Sequence, residues 1–384
     1  MRKATNKIQI IRYISLSFFA ILVTVLSVLH AKLQGMPSID ALCPFGGLET
    51  IYSLLAGGEF LKRIFPSSLI ILGGAVVLAI LFGRYFCGWL CALGAFQGLA
   101  GRIGKIIFKK RFTVPKVIDK PLRYLKYIVL FLILYFTWKI GDLIVRPYDP
   151  FAAFAHLTAG FGELWGEFAV GLLILAGSFI LSIFYDRVFC KYLCPMGAFL
   201  GILSKIPLYR IRREESTCTH CNICNKRCFM GIDVAHPDAV TSAECINCLE
   251  CVTACPTKKE TLEPTFARKR LAPLTVALAG IVIFVGIIVA TWSIGIFQSV
   301  APPLAEQTIS TQLDTSVIKG SHTYKEISET YGIPLETLFE KLNIPKGKVP
   351  PTTRVKDTAT LIPELAGFET EQVREAVREL IEKK

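Results

Sequence analysis

The chain has 384 residues, 52% of them hydrophobic and only 19% charged, with a mean hydropathy of +0.50. That balance excludes a disordered chain and is too apolar for an ordinary water-soluble domain. Thirteen cysteines and a net charge of +13 accompany it. A disulfide-rich secreted scaffold is neither this long nor this apolar, which leaves a metal protein or a membrane redox protein to be separated from a nucleic-acid binder.

Five apolar stretches are long enough for membrane helices: Ile10 to Ala31, Pro66 to Phe82, Leu122 to Ile140, Phe168 to Tyr185 and Leu271 to Phe297. No Ala-x-Ala-like cleavage site follows the first, which therefore reads as an uncleaved helix. Twenty-seven lysines and arginines flank these stretches on one side, in three groups: 2–12, 84–126 and 187–270. Only Lys32, Lys62, Arg63, Lys139 and Arg146 lie on the other. The positive-inside rule then places the N-terminus in the cytoplasm and the C-terminal segment outside. The segment after Phe297 has a net charge of −2 and the remainder +15, so the excess charge reads as an orientation signal. No basic face is interleaved with aromatics, and nucleic acid is not an expected partner.

The first 205 residues repeat at an offset of 103. Arg84-Tyr85-Phe86-Cys87-Gly88-Trp89-Leu90-Cys91 aligns with Arg187-Val188-Phe189-Cys190-Lys191-Tyr192-Leu193-Cys194, and Gly94-Ala95-Phe96 with Gly197-Ala198-Phe199. Upstream, Pro44-Phe45 falls on Pro147-Tyr148 and Cys43 on Arg146. Two helices per repeat make the repeats parallel, about an axis along the membrane normal. That symmetry sets the two Cys-x3-Cys pairs at equal depth. On a helix, i and i+4 share a face, so each pair is expected to present two thiols together. Cys87, Cys91, Cys190 and Cys194 are therefore candidates for a redox or metal site at the inner membrane surface, against the plain alternative of cysteines packing as small hydrophobes. Arg84 and Arg187 are expected to snorkel to lipid phosphates or to raise the thiolate fraction of these pairs. In the outer loops His30, Glu49, Arg146, Asp149 and His156 stand where a quinol could exchange protons, while Cys43 reads as a structural cysteine, a partner's ligand or a redox thiol. A haem is not expected, since His30 has no facing histidine partner.

Between the fourth and fifth stretches, Cys218, Cys221, Cys224 and Cys228 follow the spacing C-x2-C-x2-C-x3-C. Cys245, Cys248, Cys251 and Cys255 repeat it, followed by Pro256. Disulfides suit a reducing compartment poorly, and two complete runs of four favour clusters over zinc. His220, between two of these cysteines, lacks the order of a haem-attachment motif and reads as a surface residue. Beyond the fifth stretch, Ala301-Pro302-Pro303 opens a linker. Tyr324 to Tyr331 and Leu335 to Leu342 read as short helices split by Gly332-Ile333-Pro334, and Glu371 to Lys383 as a third with Val373, Val377, Leu380 and Ile381 on one face. This tail loosely resembles a LysM cell-wall module and carries no catalytic constellation.

The two cysteine runs resemble the two-cluster bacterial ferredoxin pattern, in which each fourth cysteine ligates the other cluster. That resemblance implies one 4Fe–4S cluster on Cys218, Cys221, Cys224 and Cys255, and another on Cys245, Cys248, Cys251 and Cys228. Phe229 departs from it, standing where proline usually follows the fourth cysteine. The constellation over residues 10 to 265 resembles the membrane polyferredoxins of the NapH- and NosR-like group, which includes the CcoG-type proteins. Cys87-x3-Cys91, Cys190-x3-Cys194-Pro195 and the eight ferredoxin cysteines carry the likeness; Ala92 replaces the proline such proteins often have after the second cysteine.

The expected fold is an α-helical integral membrane protein with five transmembrane helices and a tandem two-helix repeat, an inserted α+β two-cluster ferredoxin module and a small helical outer tail. Its expected divisions are 1–103, 104–212, 213–264, 265–300 and 301–384. The resemblance implies a bacterial or archaeal-type cell-membrane protein that passes electrons between the quinol pool, or another membrane carrier, and a partner reductase or maturation system. A quinone and a further metal at the membrane cysteines are the additional cofactors considered. Two other classes stay open: a cupric reductase or metalloprotein assembly factor using the membrane cysteine pairs, and a non-enzymatic assembly or regulatory protein docking a partner through its tail.

Overall fold

The computed structural model describes residues 2–33, 36–37, 40–57, 66–109, 112–140, 146–157, 161–205, 208–257, 261–299, 315, 318, 320, 322–345, 347–362, 368 and 370–382. The linker expected at Ala301-Pro302-Pro303, and Lys62 and Arg63, lie outside the described residues. The chain divides into two compact units, 1–300 and 301–384.

In the first unit one order of elements occurs twice. The first pass has helix α1 (Arg2–Lys32), a 3-10 turn at Asp40–Leu42, α2 (Pro44–Gly57), α3 (Pro66–Phe82), α4 (Tyr85–Trp89) and α5 (Ala92–Phe108). The second has α6 (Lys116–Ile140), a 3-10 turn at Arg146–Tyr148, α7 (Pro150–Ala155), α8 (Phe161–Phe184), α9 (Val188–Tyr192) and α10 (Pro195–Leu203). After the two 3-10 turns the matching helices begin at Pro44 and Pro150, so three residues must be added to the offset of 103. Asp149, rather than Arg146, stands where the first pass has Cys43, and its carboxylate caps α7 by accepting from the Phe151 amide at 2.9 Å. Proline at the first helical position is preorganised for the helix, which is why these prolines open helices instead of marking loops.

Three helical stretches are long and apolar enough to cross a membrane: Lys7–His30 in α1, Leu164–Phe184 in α8 and Pro273–Ser293 in α13 (Pro273–Ser293). The apolar helix α3 has 17 residues. Helix α6 carries Pro121 and several charges in its first half, and its apolar stretch is confined to the second. Ile14, Phe18 and Ile21 of α1 and Val282 and Trp292 of α13 are exposed. Such stripes are unfavourable in water and are the ordinary outer surface of a helix in lipid.

Close helix packing relies on glycine. A Cβ at Gly104 of α5 would sit 1.7 Å from the Ile183 carbonyl oxygen of α8, and one at Gly101 would sit 2.4 Å from Asp186 Oδ1. This small-residue face lets the two backbones touch.

Following α10, strand β1 (Tyr209–Arg213) leads into the cysteine runs, which contain α11 (Ile223–Arg227) and α12 (Glu250–Ala254). Strand β2 (Leu262–Phe266) returns antiparallel to β1, with Tyr209 opposite Phe266, and β3 (Lys269–Arg270) completes a three-stranded sheet ahead of α13. One continuous core joins this module to the helices: Leu78, Phe82, Tyr85 and Trp89 pack with Tyr209, Ile211, Met230, Ile246 and Leu249.

The second unit holds α14 (Tyr324–Tyr331), α15 (Leu335–Lys341), α16 (Thr358–Leu361) and α17 (Thr370–Glu382). Thr323 and Glu326 form a reciprocal capping box, and Gly332 at φ 64° ends α14. Ile318, Tyr324, Ile327, Leu338, Val355, Val373 and Val377 are among its core residues. Burial pushes the Tyr324 phenol from 10.0 up to about 12, and its hydroxyl bonds Thr358 Oγ1 at 2.7 Å.

Two outcomes follow. Gly104→Ala is expected to destabilise the first unit by about 1–3 kcal/mol or more through overpacking, whereas Gly73→Ala, where a Cβ meets nothing within 4 Å, leaves it unchanged; thermal unfolding in detergent measures both. In the second unit, unfolding releases a tyrosine that ionises more easily than the folded one. The Tyr324 contribution is therefore complete below about pH 10 and is lost as pH rises toward about 12; melting across that window, with Tyr324→Phe flattening the dependence, checks it.

Candidate functional site

The ferredoxin-type module repeats its geometry at residue level. His220 and Asn222 flank Cys221 with φ of 52° and 57°, and Asn247 and Leu249 flank Cys248 with φ of 48° and 56°. A buried leucine rarely adopts the left-handed region, so Leu249 is held there by its surroundings. Left-handed residues alternating with ordinary ones turn successive amides inward, a concavity that suits an anionic cluster. Amides do reach the sulfurs: Ile223 donates to Cys221, Asn225 to Cys224, Met230 and Ile232 to Cys228, and Asn247 to Cys245.

The cysteines group across the runs. Cys228, from the first run, lines one apolar cavity with Cys245, Cys248 and Cys251 of the second, enclosed by Ile211, Met230, Ile232, Val234, Val240, Ile246 and Leu249. Cys224 in turn lies within electrostatic reach of Cys255 and Cys221. Cys251 is buried whereas Cys221 is exposed, and Arg213 hydrogen-bonds Cys218, so the first group faces water more than the second. Phe229 is buried under two cations, Arg12 at 4.9 Å and Lys105 at 4.6 Å from its ring centre. A flat aromatic docks the module there, which accounts for the missing proline. His220 is at the surface, 3.3 Å from Glu215.

The membrane cysteines are placed differently from the helical i, i+4 expectation. Cys87 lies in α4 and Cys190 in α9, whereas Cys91 and Cys194 are the N-caps of α5 and α10 with extended backbone. Each pair straddles a break, because the amides of Leu90 and Cys91 both bond the Phe86 carbonyl and end the short helix. Cys91 Sγ accepts from the Gly94 amide at 3.4 Å and Cys194 Sγ from the Gly197 amide at 3.3 Å. The four thiols do come together: Cys91 and Cys194 pack in one cluster with Leu93, Leu175 and Phe189, and Cys194 lies within electrostatic reach of Cys190, Cys87 and Cys91.

Arg84 and Arg187 are each 1% exposed, so they do not snorkel to lipid. Each crosses to the other half. Arg187 Nη1 donates to the Cys87 carbonyl at 2.8 Å, and Arg84 Nη2 stands 2.6 Å from where a Cβ at Gly197 would be. Arg84 also pairs with Glu244 at 3.1 Å, and Lys126 pairs with the same carboxylate. Among the described residues, no group of three His, Cys, Asp or Glu side chains is placed to hold a metal ion.

A short junction links the two regions. A Cβ at Gly88 would meet the Ile246 carbonyl oxygen at 2.2 Å, so the backbone beside Cys87 touches the backbone beside Cys245. Trp89 Nε1 donates to the Asn247 carbonyl at 2.8 Å, Asn247 Nδ2 to Phe82 O at 3.1 Å, and Tyr209 Oη to Asn247 Oδ1 at 2.6 Å. From α1, Gln9 Nε2 donates to Cys248 O at 3.0 Å and Arg12 Nε to Gly88 O at 3.0 Å. Sequence reasoning missed Gln9, Trp89, Asn247 and Lys126, since an isolated polar residue carries no spacing signal.

The residues expected in the outer loops are engaged structurally. Glu49 is buried and accepts from Thr137 Oγ1 at 3.2 Å; His156 stacks on Phe168 at 4.4 Å; Arg146 pairs with Glu167 at 2.8 Å; His30 Nδ1 lies 3.0 Å from Met36 O. Cys43 packs half-buried against the main core.

Comparison with known proteins agrees with this chemistry. A family model described as a 4Fe–4S binding domain matches residues 64–115 and 168–214, and one described as a 4Fe–4S dicluster domain matches 210–260. YccM of Escherichia coli K12 is 30% identical over 224 residues, 57% of this chain and 61% of its own. Protein MJ0750 of Methanocaldococcus jannaschii is 31% identical over 267 residues, 69% of this chain and 99% of its own. The ferredoxin-type protein NapH of E. coli K12 is 26% identical over 242 residues, 59% of this chain and 77% of its own. No solved structure matches. Iron–sulfur domains, apolar spanning helices and relatives that include NapH and NosR together show that the chain belongs to the NapH- and NosR-like family of membrane polyferredoxins, iron–sulfur proteins of membrane electron transfer.

Proposed function

We propose that the chain holds two 4Fe–4S clusters, one on Cys218, Cys221, Cys224 and Cys255 and the other on Cys245, Cys248, Cys251 and Cys228, and carries electrons between a membrane carrier of the quinol class and a partner reductase or maturation system. The observation that carries this reading is the apolar cavity shared by Cys228 and the three cysteines of the other run. It supports exchange of the fourth ligand between runs. Bound clusters supply one-electron chemistry. The chain's own residues hold them: amides bond the sulfurs, Leu249 and Ile246 exclude water, and Gln9, Trp89 and Asn247 lock the module to α1 and α4.

In this reading α3 and α6 join the three long apolar helices as spans, five in all. The repeated order of elements, with two family-model matches, supports a tandem duplication. The distribution of basic residues supports a cytoplasmic N-terminus and ferredoxin module and an outer tail. The four membrane thiols lie on the route between carrier and clusters, and the Gly88–Ile246 contact with the Trp89–Asn247 bond is where it passes into the module.

Low-temperature EPR of the anaerobically purified, dithionite-reduced protein should show two interacting cubanes, and Cys248→Ser should remove one and with it the spin coupling. Stoichiometric zinc in place of iron contradicts the assignment. Trp89→Phe keeps an aromatic ring, smaller than the indole, but loses the bond to Asn247. Cluster content is expected to stay at the wild-type level while single-turnover electron exchange with a quinol analogue slows several-fold; an unchanged rate removes Trp89 from the route.

A further inference from the structure

We propose that two buried cations, Arg12 from the first half and Lys191 from the second, raise the midpoint potential of the cluster held by Cys228, Cys245, Cys248 and Cys251, and so set it apart from the cluster held by Cys218, Cys221, Cys224 and Cys255. This rests on the two-cluster reading above and says how two runs of identical cysteine spacing come to differ.

Backbone amides reach sulfurs in both cysteine groups: Ile223 and Asn225 donate to Cys221 and Cys224, and Met230, Ile232 and Asn247 to Cys228 and Cys245. What separates the groups is water and charge. Cys221 is exposed, and Arg213, which hydrogen-bonds Cys218, is met by Glu215 and Asp238, two carboxylates open to solvent. Charges arranged in this way are screened and weak. The Cys228 group instead lines an apolar cavity, where an added electron loses hydration. Burial of that kind on its own pushes a cluster's potential down.

Arg12 and Lys191 oppose it. Arg12 is 1% exposed and Lys191 8%, and among the described residues neither forms an ion pair. Arg12 lies within electrostatic reach of Cys248 and of Glu250; Lys191 lies within reach of Cys228 and of Asp186 and Asp119. Those two aspartates also serve other groups: Asp186 lies 3.8 Å from Lys105, while Asp119 pairs with Arg123 and accepts from Tyr192 Oη at 2.6 Å. The contacts agree with this placement. Arg12 lies over Phe229, the neighbour of Cys228, and one turn away Gln9 bonds the Cys248 carbonyl. Lys191 Nζ stands 3.9 Å from where a Cβ at Gly231 would be, three residues past Cys228. In the duplication Lys191 is the counterpart of Gly88, whose backbone touches that of Ile246 beside Cys245. The same turn of each half therefore faces the same cysteine group, and only the second half places a charge there. A unit charge acts far more strongly in this low-dielectric setting than at the surface, and a cation favours the reduced, more negative cluster. Arg84 also lies within reach of Cys245, but it is committed to Glu244 and the membrane sulfurs.

An EPR-monitored potentiometric titration of the anaerobically purified full chain, with iron and sulfide analysis alongside, tests this. Lys191→Met keeps the aliphatic stem without the charge. Iron content should stay at the wild-type level while the reduction equilibrium of one cluster falls about tenfold, which for one electron is ~59 mV. Arg12→Gln should move the same cluster in the same direction, Lys191→Arg should keep the wild-type midpoint, and Arg213→Gln should act on the other cluster. Unchanged midpoints in an iron-replete Lys191→Met chain would overturn the proposal, as would a shift as large in Lys191→Arg, or Lys191→Met and Arg213→Gln acting on one and the same cluster. Loss of iron in both Lys191→Met and Arg12→Gln would also overturn it, since these cations would then be supports of the fold. A wild-type chain without iron overturns the two-cluster reading instead.

Discussion

Two guanidinium groups that never reach water set the terms for the middle of this protein. Arg84 and Arg187 sit at matching breaks in the two halves, and each extends into the opposite half, where a glycine makes room. Buried charge of this kind holds only if counter-charge and hydrogen-bond acceptors surround it. Carbonyls of Cys87 and Ala243, the carboxylate of Glu244 and four sulfurs are what the fold supplies.

From there the structure reads outward through close contacts. The Cys87–Gly88 turn touches the Ile246 backbone, Glu244 ties the ferredoxin-type module to Arg84 and Lys126, and Arg12 of the first helix bonds the same turn while lying over Phe229. Membrane helices and cysteine module therefore share one core instead of meeting as separate bodies. Such continuity suits electron transfer, which weakens steeply with distance and with water between redox centres. It also means that substitutions at the junction act on stability and on electron flow together.

How much of this was legible in the sequence depended on whether a signal repeats. The eight cysteines declare themselves by spacing and three of the five expected apolar helices by length, and an offset of 103 residues picked out the two Cys-x3-Cys pairs. The chain does not follow an ideal helix at these cysteines: Cys87 and Cys91 lie on either side of a break, and Ala92 opens α5 as Pro195 opens α10. The alignment ahead of α2 and α7 slipped by three residues, because Pro44 and Pro150 start helices that a proline in a loop does not announce. Arg84 and Arg187, flanking apolar helices, read either as snorkelling residues or as charges acting on the cysteine pairs; only the packing of two halves against each other reveals them as buried. Asn247 and Trp89 carry the junction through single hydrogen bonds, which leave no pattern in the chain.

The central claim is that one polypeptide connects a membrane carrier to iron–sulfur clusters in the module. The most direct measurement is rapid mixing of the purified chain, reconstituted in lipid nanodiscs, with a quinol, and of its pre-reduced form with the matching quinone, followed by freeze-quench EPR. The account predicts that cluster signals appear with quinol or disappear with quinone, in the direction their potentials allow, with no second protein present. Clusters that respond to dithionite but exchange no electrons with the carrier in either direction would contradict it.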